Sequence, residues 1–396
     1  MFLNRDMEKT LSNYIDFPVI AILGPRQSGK TTLAKQWFDK HLFISFEDPA
    51  LREFATSDPR GFLNEYKSEH GIILDEFQYV PQILSYIQLE VDAKSRPSYF
   101  VITGSQNFLM NQAITQSLAG RVGILTLLPF SIHELYRNDI LPERAFDLIL
   151  KGSYPRAYTS TIPISDLYAS YIQTYVERDV RQLINVGDLQ TFQRFVMLCA
   201  GRIGQLLNLS DIAVSCGISS PTATKWLSVL EASYILFRLP TYFNNFNKRL
   251  VKTPKLYFYD TGLACKLLSI NSAEALLASP FRGPLFENLI IADLNKQFYN
   301  KGQTPTTYFW RDNNDRVEVD CIIDRGNKLV PIEIKASETI ASSFFSAMLK
   351  WNQISGTTFD NNYVVYAGET DQKRTHGRII SWSTAGNLID TLQSEL

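Results

Sequence analysis

The segment VIAILGPRQSGKTTLAKQW, residues 19–37, constrains the fold more than any other stretch of the chain. It places an apolar, β-branched run directly before a glycine-rich loop and a helix-forming run directly after it. Within it, GPRQSGKT at residues 24–31 satisfies the spacing G-x-x-x-x-G-K-S/T. A strand, a phosphate-binding loop and a helix in this order predict an α/β fold with a P-loop NTPase parallel sheet.

Each polar or glycine position of this loop has a chemical reason. Gly24 and Gly29 let backbone N–H groups turn towards phosphates, and the positive end of the following helix adds to the attraction. Lys30 is expected to reach the β- and γ-phosphates, the Thr31 hydroxyl to bind Mg²⁺, and Thr32 to complete the nucleotide contacts. A glycine turn that only caps a helix is the alternative, and the flanking strand and helix argue against it.

Two acids follow a second apolar strand in IILDE, residues 72–76. Asp75, at the end of the strand, is placed to hold Mg²⁺ through water. Glu76, one residue later, is placed to orient and deprotonate the attacking water. Two acids here can also be a solvated strand end, but their combination with the loop favours the catalytic interpretation.

Two further residues are candidates for a role in hydrolysis. The strand of YFVITGSQ, residues 99–106, ends in Ser105, with Asn107 close behind. In P-loop ATPases of the additional-strand type, a polar residue here contacts the γ-phosphate or the water; a simple turn is the alternative. Arg121 precedes another apolar run and can stabilise the transition state in its own subunit or a neighbour's, or form a surface salt bridge.

Five apolar runs alternate with helix-forming segments in the first third of the chain. They are residues 19–23, 42–45, 72–74, 99–106 and 124–128. This alternation predicts a parallel doubly wound sheet with the nucleotide at the carboxyl ends of its strands. We therefore expect a first domain at residues 1–145 that binds ATP.

The segments GPRQSGKTTL, IILDEFQYVP, ITGSQ and SLAGRV, in this order, resemble the AAA+-related P-loop ATPases of bacteria and archaea. In that family, a C-terminal domain of uncharacterised function, similar to restriction endonucleases, follows the ATPase. The resemblance covers the whole chain, since GSYPRAY at 152–158 and YIQTYVERDV at 171–180 also fit it. It implies ATP binding, and it makes a homo-oligomer an expectation.

The middle of the chain, residues 146–275, is predicted to be helical and to contain a winged helix. In LSDIAVSCGISSPTATKWL, Ser210 is expected to cap a first helix and Gly217 to make the turn. Ser219 or Ser220 is expected to open a second helix. Two strands around a polar turn then follow as the wing.

A winged helix can bind DNA through its second helix and its wing, or serve as a protein-contact module. The net charge of −1 excludes an attraction to nucleic acid over the whole surface, so any binding needs a local patch. The stretch around the wing is the most basic part of the chain. The candidate DNA contacts are Lys225, Arg238, Lys248, Arg249, Lys252 and Lys255.

The last domain, residues 276–396, contains a pattern that resembles the D…E-x-K core of restriction-endonuclease-like nucleases. Asp320 lies in one predicted strand, and Glu333 and Lys335 lie two apart on the next, so they share a face. Such acids hold Mg²⁺, and the lysine polarises the water. Glu287, on an upstream amphipathic helix, is a further candidate ligand. Cross-strand ion pairs at a surface are the alternative.

Three functions remain open on the sequence alone. The first is an ATPase coupled to a metal-dependent nuclease. The second is a nucleotide-dependent switch with a DNA- or protein-contact module, and the third is a C-terminal binding module without activity. The chain shows no apolar run long enough for a membrane helix, no signal peptide and no C-x-x-C pair, so a cytoplasmic location is expected.

Overall fold

The computed structural model describes residues 3–105, 114, 116–176, 189–242, 253–312, 317–326 and 328–394. The chain divides into two compact units. The N-terminal unit comprises Met1–Pro129 with Ala232–Tyr234 and Tyr299–Gln303. The C-terminal unit comprises Phe130–Glu231, Ile235–Phe298 and Thr304–Leu396.

The described part of the N-terminal unit contains one parallel sheet. Its strands are β1 (Val19–Gly24), β2 (Leu42–Ser45), β3 (Ile72–Asp75), β4 (Phe100–Ser105) and β5 (Val122–Thr126), in the order β2-β3-β4-β1-β5. All neighbouring strands pair in parallel. The predicted P-loop NTPase sheet is thereby confirmed, and β4 lies between the strand that precedes the loop and the strand that ends in Asp75.

Both faces of this sheet are covered, which explains why its strands are continuous apolar runs rather than alternating ones. Val19, Ala21 and Leu23 pack into one apolar cluster, and Ile20 and Ile22 pack into the other. The helices of this unit are Met7–Leu11, Lys30–Trp37, Pro49–Ser57, Pro59–Glu65 and Ile83–Ala93.

The C-terminal unit begins with a helical part. The helices that belong mainly to this unit are Ile132–Arg137, Ala145–Lys151, Arg156–Thr159, Ile164–Tyr171, Leu189–Ala200, Leu209–Cys216, Ser220–Ala232, Thr261–Leu267, Ala273–Ala278, Arg282–Asn300, Ser346–Ser355 and Leu388–Ser394. Within the described ranges, none of the chain's helices combines the length and the apolar character needed to cross a bilayer.

The motif GSYPRAY has a structural role. The Asp260 carboxylate accepts hydrogen bonds from the backbone N–H of Ser153 at 2.6 Å and from that of Leu263 at 2.7 Å. The Tyr158 hydroxyl donates to the Gly152 carbonyl at 2.7 Å. The buried aspartate thus caps the helix Thr261–Leu267 and fixes the motif beside it.

The helix pair Leu209–Cys216 and Ser220–Ala232 has the predicted turn, with Gly217 at a φ of 68°. The prediction for the first cap was wrong. The Asn208 side chain, not that of Ser210, accepts from the Asp211 N–H at 3.1 Å, because the helix begins two residues earlier than expected. Ser219 caps the second helix by accepting from the Thr222 N–H at 3.2 Å.

Two strands follow this helix pair, β6 (Leu236–Leu239) and β7 (Lys255–Phe258), and they pair antiparallel. The polar turn of the predicted wing, with Lys248, Arg249 and Lys252, lies outside the described residues. The structure therefore describes the base of this hairpin and not its tip.

A second sheet lies within the C-terminal unit. Its described strands are β8 (Thr307–Arg311), β9 (Glu318–Asp324), β10 (Leu329–Lys335), β11 (Tyr363–Tyr366), β12 (Gln372–Arg374) and β13 (Gly377–Ser381), in the order β12-β13-β11-β10-β9-β8. β10, β11 and β13 pair in parallel, and the other pairs are antiparallel. The separate C-terminal α/β sheet domain is confirmed as an architecture.

Candidate functional sites

The loop between β1 and the helix Lys30–Trp37 depends on its glycines. Gly24 has a φ of 150° and Gly29 a φ of 95°, both in the region that other residues rarely adopt. A Cβ atom on Gly24 would lie 2.1 Å from the Leu127 carbonyl oxygen. Larger residues are excluded at Gly24, and Gly29 starts the helix whose N-terminus faces the loop.

Lys30 is buried within this loop. Its Nζ donates to the Pro25 carbonyl oxygen at 2.7 Å, and the Ser28 hydroxyl donates to the same oxygen at 3.0 Å. Arg5, which the sequence gave no reason to select, is also buried and donates to the Ser28 carbonyl at 2.7 Å and the Leu128 carbonyl at 2.6 Å. Arg5 thus ties the loop to the chain that follows β5.

Asp75 accepts hydrogen bonds from three hydroxyl groups, one on the helix after the loop and one on each of the neighbouring strands β2 and β4. Thr31 Oγ1 donates to Asp75 Oδ1 at 2.7 Å, and Ser45 Oγ donates to Oδ2 at 3.3 Å. The Thr103 hydroxyl also donates to Oδ1. Carboxylate and hydroxyl oxygens are the ligands that Mg²⁺ prefers, so Thr31 and Asp75 fit the predicted metal position.

Glu76 follows β3 with a φ of 55°. Burial raises the pKa of its carboxyl group, and the nearby charges of Lys30 and Arg26 oppose this shift. Gln78 Nε2 donates to the Glu76 carboxylate and, at 3.1 Å, to Ser105 Oγ. The structure therefore brings Glu76 and Ser105 together through Gln78, a residue that sequence reasoning missed.

Arg121 lies at the amino end of the strands of the same sheet, opposite the carboxyl ends where the loop lies. Its carbonyl accepts from the Val19 N–H at 3.3 Å, at the start of β1, whereas the loop follows the end of β1, roughly 16 Å along the strand. Its guanidinium pairs with Asp92, with Nε–Oδ1 at 2.5 Å and Nη2–Oδ2 at 3.0 Å. The structure does not bring Arg121 to the loop of its own chain, and a role in a neighbour's site stays a prediction.

The acids of β9 and β10 form a second cluster, in the C-terminal unit. Asp320 Oδ2 accepts from the Ile334 N–H at 2.8 Å, which joins the two strands at this point. Lys335 Nζ lies 2.5 Å from Glu333 Oε1. Asp320, Glu333 and Lys335 are thus brought together as their spacing predicted, and a third of the Lys335 side chain is exposed to solvent.

This cluster leaves one carboxylate oxygen without a partner. Glu333 is only 5% exposed, and its Oε2 is buried and makes no hydrogen bond. Burial raises the pKa of Glu333, and the pair to Lys335 opposes that shift. Burial and then the Glu333 and Glu287 carboxylates raise the pKa of Asp320 well above its ordinary value. The surroundings of the cluster therefore disfavour the ionised forms of both carboxyl groups.

Glu287, on the helix Arg282–Asn300, is held by two donors from β7. Its Oε1 accepts from Lys255 Nζ at 3.0 Å and from the Tyr257 hydroxyl at 2.5 Å. Lys255 Nζ also lies 2.5 Å from Glu318 Oε1. Burial opposes the Lys255 charge, but these carboxylates and that of Asp320 outweigh it and raise the pKa of Lys255.

The prediction that Lys255 contacts DNA was wrong, because the residue is 2% exposed and is paired inside the protein. Arg238 pairs with Glu231 at 2.6 Å, and Lys225 is exposed on the helix Ser220–Ala232. Of the six predicted DNA contacts, the three in the wing turn lie outside the described residues. The described part of the chain thus offers one exposed cation of this set that is not in a described ion pair.

The second cluster offers few side chains for a metal ion. Where the chain is described, no three or more His, Cys, Asp or Glu side chains are arranged to hold a metal ion. Glu287 accepts from Lys255 and Tyr257 through Oε1 alone, so Asp320, Glu333 and Glu287 each keep one oxygen outside any described hydrogen bond, and only that of Glu333 is buried without a partner. The buried, unpaired Glu333 oxygen fits a cation ligand.

Three family descriptions match the chain. Residues 16–136 match the AAA domain, residues 142–274 match a domain of unknown function (DUF8612), and residues 282–385 match a second domain of unknown function (DUF4143). The first match and the loop geometry agree on an AAA-like P-loop ATPase domain. The restriction-endonuclease-like prediction is not confirmed, and the predicted boundaries after residues 145 and 275 stay predictions.

Proteins similar to this chain are found among known sequences and among solved structures. An uncharacterised protein of Mycobacterium tuberculosis is 29% identical over 338 residues, which are 84% of this chain and 74% of that protein, and one of Mycobacterium bovis matches equally. Among solved structures, the Walker-type ATPase PABY2304 of Pyrococcus abyssi has a TM-score of 0.45 at 15% identity, over 67% of this chain and 96% of that one. The RuvB Holliday junction branch migration motor of Thermotoga maritima has a TM-score of 0.32 at 18% identity, over 60% and 91%.

Proposed function

We propose that this chain binds ATP together with Mg²⁺ at the loop of residues 24–31 and hydrolyses it. The observation that supports this most is the Asp75 carboxylate, which accepts from the Thr31 hydroxyl at 2.7 Å while Glu76 follows on the same strand end. A metal position and a candidate base next to a phosphate-binding loop are the parts that phosphoryl transfer to water needs.

Different residues of the site bind the phosphates, hold the metal ion and accept the proton. Lys30 and the loop N–H groups bind the phosphates, and Thr31 and Asp75 would hold Mg²⁺, which neutralises charge on the β- and γ-phosphates when bound. Glu76 accepts the proton of the attacking water. The direct test is phosphate release from ATP, measured together with ATP affinity in variants of Glu76 and Lys30.

Arg121 is proposed to act in the site of a neighbouring subunit. Arg121→Ala chains keep an intact loop, and Lys30→Ala chains keep Arg121, so mixing two inactive variants is expected to restore part of the ATPase activity. Loss of an arginine finger lowers turnover by about 10³- to 10⁵-fold, so even a partial recovery of ATPase activity in the mixture is measurable. Steady-state phosphate release of each variant and of the mixture is the measurement.

The matched control is Asp92→Ala, which breaks the ion pair of Arg121 but keeps the arginine. If Asp92→Ala loses as much activity as Arg121→Ala, the effect of Arg121→Ala comes from the loss of the ion pair and not from a role of the arginine in catalysis. A mixture with no activity above its components would contradict a role across subunits.

A metal-dependent phosphodiester cleavage is the second candidate function, in the C-terminal unit. The buried Glu333 oxygen without a hydrogen bond, beside Asp320, favours it over a surface ion pair. In this proposal Asp320 and Glu333 would hold the cation, and the partly exposed Lys335 positions the attacking water. The competing proposal is a switch in which nucleotide controls contacts of the helix Ser220–Ala232 with DNA or protein.

Cleavage is expected from the wild-type chain and not from Asp320→Ala/Lys335→Ala, which removes a ligand and the water-positioning charge. The assay offers single- and double-stranded DNA and RNA with Mg²⁺ or Mn²⁺, with and without ATP. Glu369→Ala/Lys373→Ala, which removes an exposed acid and an exposed lysine of the same sheet domain, serves as the control. No cutting by wild type under any condition would contradict the nuclease and favour the switch.

A further inference from the structure

Lys255 enters the acid cluster from a part of the chain outside the predicted nuclease domain. It is the first residue of β7, in the hairpin that follows the helix pair, and its ammonium group lies between Glu287 and Glu318. The three side chains belong to β7, to the helix Arg282–Asn300 and to β9. Lys255, Glu287 and Glu318 themselves all lie in the C-terminal unit.

The geometry at Lys255 is that of a cation bound by carboxylates. Nζ lies 3.0 Å from Glu287 Oε1 and 2.5 Å from Glu318 Oε1, and the residue is 2% exposed. Burying an ammonium group costs free energy unless the group is paired and hydrogen-bonded. The two carboxylates beside Lys255 are therefore needed to keep it charged inside the protein. Tyr257, two residues later on the same strand face, donates to the same oxygen of Glu287.

The charges of the cluster separate into two parts. Glu287 and Glu318 share Lys255, and Arg311 lies 3.5 Å from the other Glu318 oxygen. The described ion pair of the Asp320 and Glu333 part is that of Lys335 with Glu333, at 2.5 Å, and Lys255 acts on Asp320 only through its charge. Glu333 Oε2 has no hydrogen-bond partner although it is buried. Lys255 is therefore paired on two sides, whereas the part around Lys335 contains a buried carboxylate oxygen without a hydrogen-bond partner.

We propose that Lys255 takes the place of a second metal ion, so that the cluster binds a single divalent cation, between Asp320 and Glu333. Glu287, the third acid of the pattern, is then a partner of Lys255 and not a metal ligand. The inference rests on the metal site proposed above and is independent of whether that site cleaves nucleic acid.

The test counts bound Mn²⁺ per chain, by electron paramagnetic resonance and calorimetry without nucleotide. Ions at the cluster are defined as those that the triple variant Asp320→Asn/Glu287→Gln/Glu318→Gln loses. Wild type is expected to hold one such ion, and Glu287→Gln is expected to hold one as well. Lys255→Met, which keeps the length of the side chain without its charge, is expected to bind a second ion, and Lys255→Met/Glu287→Gln to return to one.

Two ions in wild type, or loss of the single ion in Glu287→Gln, would overturn the proposal. If Lys255→Met fails to fold, which circular dichroism detects, the Glu287→Gln result still decides whether Glu287 is a metal ligand. No Mn²⁺ at the cluster would overturn both this inference and the metal site. One bound Mn²⁺ without any cleavage would support the inference and remove the nuclease function alone.

Discussion

Glu76→Gln is expected to bind ATP about as tightly as wild type and to hydrolyse it about 10²- to 10⁴-fold more slowly, the usual contribution of a positioned general base. Glutamine keeps the size of the side chain and removes its capacity to accept the proton of water. It also removes a negative charge close to Lys30, so ATP affinity is not expected to fall. Phosphate release and equilibrium ATP binding are measured on the same preparation.

The control is Glu47→Gln, an exposed acid that follows β2 at the same edge of the sheet, and its turnover is expected to stay at the wild-type value. The pH profile gives a second check. Burial raises the pKa of Glu76, and the base acts as a carboxylate, so kcat rises with pH through a pKa above that of an ordinary glutamate. Unchanged turnover in Glu76→Gln would remove Glu76 from its role.

Lys30→Ala is expected to lower ATP affinity by about 100-fold or more, since a hydrogen bond to a charged group contributes about 1.5–3 kcal/mol and this lysine reaches two phosphates. The fold is expected to persist. The Pro25 carbonyl keeps the Ser28 hydroxyl as a donor, and Arg5 still binds the Ser28 carbonyl. Calorimetric titration with ATP and Mg²⁺ measures the affinity, and the thermal midpoint reports on the fold.

Lys35→Ala serves as the matched control, because it removes an exposed lysine from the same helix and is expected to leave ATP affinity unchanged. Retained affinity in Lys30→Ala, with an unchanged thermal midpoint, would contradict the phosphate-loop assignment. A fall of similar size in Lys35→Ala would show that the effect is one of overall charge.

The sheet of the N-terminal unit was predictable because its central strands β1, β3 and β4 are buried on both faces. Such strands are short apolar runs, and polar residues mark the point where each ends. The same argument placed Asp75 and Glu76 near Thr31, since the carboxyl ends of parallel strands meet at one edge. The neighbours that orient these groups were not predictable in this way. Gln78 follows the acids without any motif, and Arg5 reaches the loop only through the packing of the N-terminal segment.

Lys255 shows why local composition misled the interpretation of the hairpin. The surrounding stretch is rich in lysine and arginine and contains no acid before Asp260, which predicted a basic surface. The acids that pair with Lys255 are Glu287 and Glu318, far along the chain, and only the tertiary structure brings them together. By contrast, the placement of Asp320, Glu333 and Lys335 followed from the alternation of strand residues.

The most direct test of the central claim is a single-turnover measurement of γ-phosphate release from ATP, with wild-type protein in excess and Mg²⁺ present. Hydrolysis at this site predicts that wild type releases phosphate in one phase. Glu76→Gln is expected to bind the same amount of ATP and to release phosphate far more slowly, and Lys30→Ala is expected to bind almost no ATP. ATP that binds stoichiometrically to wild type and stays intact would contradict hydrolysis and leave a nucleotide-binding switch.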